Sequence, residues 1–204
     1  GGPRAPPPGA WPAGAAGCLA LIEREGAGRI RAGVDAVLAY TERRARKRVA
    51  DLGEIDGRAE DALEGDGMSD APVPVVVRVS TAAAGTRGSK GALRIDFTGT
   101  SRIVPGNVNC PASVTRGAAV FVLRKVLRDD VPTNDDIARA IELVLPDNCA
   151  VNARWPAAVA AGNVEMSQRI TDTIFAALGA AGVDVPAQGQ GTTGTYNFTN
   201  CASP

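Results

Sequence analysis

Apolar residues at helical spacing mark the first quarter of the chain. Residues 19–52 predict helix, broken near 26–28 where glycines interrupt the pattern. The second part is amphipathic, with a basic cluster over 43–48 on the face opposite its apolar residues. The apolar face consists of Ile30, Val34, Val37, Leu38, Thr41, Ala45, Val49 and Leu52. Such a stripe is typical of a helix that turns one face towards a core.

The pattern then changes to short runs of β-branched residues. Residues 73–80 and 92–97 predict two strands, joined through a Gly/Ser/Lys turn over 85–91 into a hairpin. A polar turn over 98–101 closes this hairpin. The preceding segment, residues 53–71, is acidic and contains several glycines, so it predicts a loop between elements.

The second half of the chain alternates helical and strand-like segments. The predicted elements are a buried helix over 113–128, a strand over 140–145 that ends at the turn 146–148, and a helix from Asn163 to about Ala181. Asn163 is the expected N-cap of the last helix and Gly182 its stop. The mixed order predicts an α+β fold of helices and β-hairpins. We expect residues 1–17, rich in proline and glycine, to be a flexible lead-in to a domain over 18–204.

Composition narrows the classes of function. The formal net charge is zero, so no global field recruits nucleic acid, and no nucleic-acid partner is expected. No apolar run is long enough to cross a bilayer, so no membrane partner is expected either. The four cysteines are far apart in sequence and form no CxxC pair. We expect reduced thiols and a cytoplasmic location.

The chain contains no histidine. Histidine is the commonest general base near neutral pH and the commonest ligand for transition metals. Chemistry at this chain must therefore use carboxylates, amides, hydroxyls or thiols, or must take groups from elsewhere.

The densest motif is the segment 152–170, NARWPAAVAAGNVEMSQRI. Its small residues before Asn163 allow close backbone approach, and Glu165 follows in the first helical turn, where the helix dipole favours an anion. Two interpretations are open. In the first, a polar pocket at a helix start is lined by Asn163, Glu165, Ser167 and Gln168. In the second, Asn163 only caps the helix and the other polar side chains face water.

Other candidates also have structural alternatives. Asn107 and Asn109 contact a ligand or satisfy the backbone of a Pro-containing turn, and Asp96 is a base or ligand or anchors the turn after its strand. Without a histidine to activate them, Cys110 and Cys149 are predicted to be inert.

Two further groups are candidates for anion or nucleic-acid binding. The polar tail either binds an anion or forms a terminal loop, and its candidates are Thr192, Thr193 and Asn197. The basic cluster over 43–48 touches nucleic acid or forms a solvated face or a subunit contact, and the zero net charge favours the second interpretation.

Several blocks together resemble the hydantoinase B/oxoprolinase family. They are IDFTGTS at 95–101, GNVNCP at 106–111, the segment 152–170 and the polar glycine loop at 188–193. The resemblance implies a B-type subunit of an ATP-dependent enzyme that opens cyclic amides such as 5-oxoproline or hydantoins. Related complexes carboxylate ketones, which is an alternative activity. Asp136 and the pair Asn148-Cys149 depart from the family pattern.

The resemblance also implies partners, cofactors and site residues. An A-type subunit would bind ATP, and a divalent metal would be held by a histidine- and aspartate-bearing region that normally precedes the part seen here. No metal ligand and no catalytic residue is therefore assigned in this chain, which we expect to be an internal piece of the larger fold. The residues expected to contact the cyclic-amide substrate are Asn109, Asn163, Glu165, Ser167 and Gln168.

Three functions remain open at this stage. The chain is part of a cyclic-amide hydrolase that is inactive when isolated, or a catalytically inactive assembly element, or a nucleic-acid-binding domain that uses the basic cluster.

Overall fold

The computed structural model describes residues 10–81, 91–127 and 131–192. Within these ranges the chain forms, in order, α1 (Ala10–Glu25), α2 (Ala27–Asp51), β1 (Asp56–Leu63), β2 (Val73–Thr81), β3 (Leu93–Asp96), α3 (Ala112–Leu127), a 3-10 helix (Asp135–Ala140), β4 (Ile141–Val144), a π-helical turn (Gly162–Met166) and α4 (Ser167–Ala180).

The strands form one mixed sheet in the order β1-β2-β3-β4. β1 and β3 are antiparallel to β2, and β4 is parallel to β3. In the central pair Val79 lies opposite Ile95. The predicted hairpin of β2 and β3 and the predicted α+β fold are confirmed. Most of the predicted turn over 85–91 lies outside the described residues.

The core lies between the sheet and α4, with α3 packed against α4. Alternate valines of β2, from Val73 to Val79, are fully buried, as expected for one face of a strand with a period of two. Ile170, Ile174 and Leu178 follow at four-residue spacing on α4 and are fully buried. Each such side chain contributes about 1.5–3 kcal/mol of hydrophobic stabilisation. Periodicity alone therefore identified the two elements that build the core.

The first strand was missed. The loop predicted over 53–71 contains β1, whose charged sequence DGRAEDAL has low strand propensity. Its exposed side carries Asp56, Arg58 and Glu60, as suits an edge strand, while Gly57 and Leu63 are buried. Pairing with the valine-rich β2 and packing under α4 override the local preference.

Gly57 is the point at which α4 rests on β1. A Cβ atom at this position would lie 2.1 Å from the carbonyl oxygen of Ala177. Only a residue without a side chain allows the helix to approach the strand this closely. Gly57, which favoured the prediction of a loop, is therefore the residue that lets β1 pack against α4.

The predicted break in the N-terminal helix is confirmed at Gly26, whose φ of 82° lies in the left-handed region. α1 begins at Ala10, so part of the predicted lead-in is helical, while residues 1–9 lie outside the described ranges. The predicted apolar face of α2 is buried only in its second half, at Thr41, Ala45 and Val49.

The buried half of α2 is fixed to the 3-10 helix by polar contacts. Asn134 Nδ2 donates to Thr41 Oγ1 over 2.8 Å. Glu42 lies between Arg46 at 2.8 Å and Arg139 at 3.3 Å, and Arg139 also pairs with the buried Asp136 at 3.1 Å. Thr41 is the residue of this set nearest the start of α2, and none of residues 27–40 of α2 is buried.

The remaining predicted elements match the structure closely. α3, β4 and the stop of α4 at Gly182, with φ of 80°, lie within a few residues of their predicted bounds. None of the helices in the described ranges has the length and apolar content needed to cross a bilayer.

Replacing Gly57 by alanine should lower the free energy of unfolding by about 1–3 kcal/mol, because the added methyl group overlaps the Ala177 carbonyl. The control is Gly117→Ala in α3, where an added Cβ meets no atom within 4 Å. This control should raise stability by about 0.5–1 kcal/mol through helix propensity. Urea denaturation measures both, and equal effects of the two substitutions would contradict the close helix–strand contact.

Candidate functional site

The segment 152–162 packs against the loop 104–111 through backbone contact. A Cβ atom at Gly162 would lie 1.9 Å from the carbonyl oxygen of Asn109, so only glycine fits there. Ala161 N donates to Asn107 O over 3.0 Å, and Ala153 N donates to Cys110 O over 3.0 Å. The close approach that the small residues predicted is therefore made to the chain's own backbone.

Asn109 holds this junction together from inside. Its side chain is fully buried, and its Nδ2 lies 2.9 Å from Val104 O, 2.8 Å from Gly106 O and 3.0 Å from Ala158 O. Its Oδ1 accepts a hydrogen bond from Val104 N over 2.9 Å. A buried amide must find such partners, and here backbone groups supply them. The geometry gives Asn109 a positioning role for the two loops, and its predicted contact with substrate has no support from this arrangement.

Asp66 anchors the other side of the same loop. Its carboxylate is buried and accepts hydrogen bonds from Gly106 N at 2.8 Å, Met68 N at 2.9 Å and Ser69 N at 2.8 Å. The bond from Gly106, followed by that from Met68, holds the pKa of this carboxyl below its ordinary value of 3.8. Asp66 is therefore a structural anion that fixes the turn at 105–106.

The predicted N-cap at Asn163 is wrong. The chain is already helical at Ala161, and Asn163 lies inside the π-helical turn with its side chain exposed. Its carbonyl accepts a hydrogen bond from Ser167 Oγ over 2.8 Å. Because helical geometry begins before Asn163, its side chain makes no capping bond and points to solvent. π-Helical turns are rare, and those inside helices are frequent at functional sites.

Three of the predicted residues line one groove between α3 and α4, with a volume of about 400 Å³. One wall is polar, formed by Asn163, Ser167, Gln168 and Thr171. The opposite wall is the apolar surface of α3 and is formed by Val114, Gly117, Ala118 and Phe121. Glu165 is half-buried in the π-helical turn and is not part of this lining.

The polar wall presents side-chain amides. The hydroxyls of Ser167 and Thr171 donate to carbonyls one turn earlier, at Asn163 and Ser167, over 2.8 Å each. Asn163 and Gln168 are exposed, and neither side chain makes a hydrogen bond to the described part of the protein. Each amide offers two N–H donors and one carbonyl acceptor to a ligand.

The apolar wall includes features that sequence reasoning missed. Phe121 is 48% exposed, although its position within an apolar run predicted burial. Its ring meets the Phe175 ring edge-on at 6.5 Å, and Lys125 Nζ lies 5.6 Å from its centroid. The apolar run gave no signal for this exposure, since hydrophobicity alone does not indicate which side of a helix lacks a partner.

The groove is suited to binding and carries no group for proton transfer. None of its lining residues has a titratable side chain. An apolar wall facing amide donors and acceptors has the composition of a small-molecule site. Any acid–base chemistry at this groove must come from outside its lining.

The other candidates are accounted for structurally. Asp96 accepts hydrogen bonds from Thr98 N at 2.8 Å and Arg94 at 3.1 Å, so it anchors its turn. Burial raises the pKa of Asp96, but the bonds from Thr98 and Arg94 outweigh burial and leave it lowered. Burial also raises the pKa of Cys149, and that of Cys110 to about 11, which supports the prediction of inert thiols. Thr193 and Asn197 lie outside the described residues.

The donor set does not fit a metal centre. Within the described ranges, no three carboxylate or thiol side chains converge as metal ligands. Within these ranges no residue is therefore assigned a metal-binding role.

Residues 9–203 match the model of the family described as hydantoinase B/oxoprolinase. An uncharacterised protein of Methanocaldococcus jannaschii is 32% identical over 160 residues, which is 78% of this chain and 26% of that protein. 5-Oxoprolinase 1 of Arabidopsis thaliana is 40% identical over 91 residues, which is 45% of this chain and 7% of that protein.

A solved structure shows the same fold. The ATP-dependent caprolactamase of Pseudomonas jessenii superposes with a TM-score of 0.65 at 17% identity, over 80% of this chain and 27% of that chain. The chain thus spans about a quarter or less of the relatives it matches here. The fold is that of a partial domain of these longer proteins.

The buried Asp66 carboxylate predicts a specific pH dependence of stability. The pKa of Asp66 lies below 3.8 in the folded chain, so on acidification the unfolded chain takes up a proton at this carboxyl before the folded chain does. The contribution of Asp66 to the free energy of unfolding is therefore lost as the pH falls from about 3.8 through the folded-state pKa. Asp66→Asn should lower the melting temperature at neutral pH and flatten its decline in acid, since an N–H group would then face Gly106 N. Asp70→Asn, at an exposed carboxyl, is the control and should change neither quantity. Thermal melts across the acid range would refute this role if both substitutions behaved alike.

Proposed function

The chain belongs to the hydantoinase B/oxoprolinase family, and we propose that it forms part of the B-type component of an ATP-dependent hydrolase that opens cyclic amides of the 5-oxoproline or hydantoin type. The relatives named 5-oxoprolinase and caprolactamase support this class of reaction. In this proposal the chain binds the ring, and an A-type subunit supplies the ATP site.

The groove between α3 and α4 is the observation that carries the proposal. A cyclic amide has an apolar ring and one polar edge with a carbonyl acceptor and an N–H donor. The exposed amides of Asn163 and Gln168 can pair with both groups on that edge, while Phe121 and Ala118 cover the ring carbons. Its volume of about 400 Å³ lies in the range of small-molecule sites.

The chemistry divides between this chain and its partner. Nitrogen donation makes an amide carbonyl a poor electrophile, and ATP supplies the driving force for activating it. The groove lacks titratable side chains, so its residues bind and orient the ring and exclude water from its apolar side. Activation and proton transfer belong to groups beyond the groove.

The free cysteines of the described part, at 18, 110 and 149, support the proposed cytoplasmic location.

One observation favours a second candidate function, that of an assembly element without substrate binding. Large apolar side chains of α1 and α2 are exposed, including Trp11 at 77% and Val34 at 52%. Exposed apolar surface of this kind marks an interaction site. The two candidates differ in whether the groove binds a cyclic amide.

Removing the groove amides should weaken ligand binding. The double substitution Asn163→Ala with Gln168→Ala removes both exposed amides, and each hydrogen bond contributes about 0.5–1.5 kcal/mol. We expect the dissociation constant for hydantoin to rise about tenfold, measured by chemical-shift titration of the chain. With an A-type partner, hydantoin-dependent ATP hydrolysis should show a raised KM.

The control is Gln190→Ala, which removes an exposed glutamine outside the groove lining and should leave binding unchanged. No shift of groove resonances at saturating hydantoin or 5-oxoproline would reject the proposed site. That result would favour the assembly element.

Lys125 should distinguish a charged ring from a neutral one. Its ammonium lies 5.6 Å from the Phe121 centroid, close to the apolar wall, where it can attract the carboxylate of 5-oxoproline. Lys125→Gln should weaken binding of 5-oxoproline by a few-fold and leave the neutral hydantoin unaffected. Equal losses for the two ligands, measured by the same titration, would contradict an electrostatic role, and a screening salt series provides the control.

A further inference from the structure

Helix α3 has a gap in the wall that it presents to the groove. Gly117 lies about one helical turn after Val114 and one turn before Phe121, and all three residues line the groove. Residue 117 is exposed, and a Cβ atom there would meet no atom outside its own helical turn within 4 Å. Between the two larger side chains the groove therefore has a notch, and the floor of the notch is the backbone of α3.

Packing within the described part of the chain does not require a glycine at this position. At Gly57 and Gly162 an added Cβ atom would lie 2.1 Å and 1.9 Å from a backbone oxygen, so the fold itself accounts for those glycines. Gly117 has neither such a contact nor a left-handed φ, and a glycine inside a helix is less stable than an alanine. Bare helix backbone of this kind allows another molecule to approach closely.

The opposite wall of the groove indicates what approaches Gly117. Other open glycines occur in α1 and α2, at 14, 17, 28 and 33. Among the described lining residues of the grooves beside Gly14 and Gly28, none has a side-chain amide. Across the groove from Gly117, by contrast, are the exposed amides of Asn163 and Gln168. Gly117 therefore combines an open backbone with hydrogen-bonding groups that can orient a ring.

We propose that Gly117 is the specificity-determining residue of the groove. The ring of a cyclic amide lies against the bare backbone at 117, with its carbon atoms between Val114 and Phe121 and its polar edge towards the amide wall. This inference rests on the proposed function, because it requires that the groove binds such a ring. The empty Cβ position then determines how thick a ring fits, so the groove admits a puckered seven-membered ring as well as a flat five-membered one.

Filling the notch tests this role. Gly117→Ala adds one methyl group to the floor of the groove without disturbing a packing contact of the described chain. We expect the dissociation constant to rise about threefold for hydantoin, which is flat, and at least about tenfold for ε-caprolactam, whose puckered ring is thicker. Chemical-shift titration measures both constants. In the wild-type chain, intermolecular NOEs from the ring protons to the α protons of Gly117 should mark the contact.

Gly33→Ala in α2 is the matched control. It makes the same change at another exposed helix position where a Cβ atom meets nothing within 4 Å, but it lies outside the groove lining. Both substitutions should raise the melting temperature slightly, because alanine has a higher helix propensity than glycine. Weaker binding is expected for Gly117→Ala alone, which separates contact with the ring from an effect on the fold.

Three results would overturn the inference. If the wild-type chain binds both rings and Gly117→Ala leaves both constants unchanged, the ring does not approach residue 117, while the proposed function of the groove stands. Equal losses for the two rings would show that residue 117 does not select for ring thickness. If the wild-type chain binds neither ring, the proposed function fails, and the role of Gly117 fails with it.

Discussion

The arrangement of the groove depends on one close contact, in which the Gly162 backbone lies against the carbonyl of Asn109. A Cβ atom there would come within 1.9 Å of that oxygen, so the contact exists only because residue 162 has no side chain. The buried Asn109 amide then bonds backbone groups on both sides of it, at Val104, Gly106 and Ala158. Unpairing such a group would leave buried polar atoms unsatisfied, so the junction is strongly specified.

A second glycine contact fixes the other end of α4. The carbonyl of Ala177 lies against Gly57 of β1 near the end of α4. At the start of α4, the π-helical turn that begins at Gly162 fixes the position of the helix. With both ends fixed, the apolar face of α4 has one way to meet the valines of β2. Gln168 of α4 and Asn163 of the π-helical turn then line the groove beside α3. The groove is a consequence of how the core packs.

Sequence reasoning succeeded where a single period dominates. The alternating valines of β2 and the four-residue spacing in α4 each identify an element and its buried face. It failed at β1, because an eight-residue segment with three glycine or alanine positions and four charged residues has no strand signal of its own. It also failed at Asn163, where the expectation of a cap ignored that small residues before it are already helical.

The motif residues divide by burial in a way that composition could not reveal. The side chains of Asn109 and Asp66 carry polar groups as able to bind a ligand as the amide of Gln168, yet their polar atoms are bonded to backbone groups. A buried polar side chain forms structural hydrogen bonds, whereas an exposed one of the same kind is free to contact a ligand. Burial depends on contacts between residues far apart in sequence.

The polar groups that the described part of the chain can offer to other molecules are therefore those that folding leaves without hydrogen-bond partners. The groove amides at 163 and 168 face solvent without partners, whereas the thiols of Cys110 and Cys149 are buried with raised pKa values. A surface of amides and apolar side chains can hold a neutral ring, but it cannot move a proton at neutral pH. In the proposed function, activation of the ring therefore lies on another component, and the groove of this chain supplies binding alone.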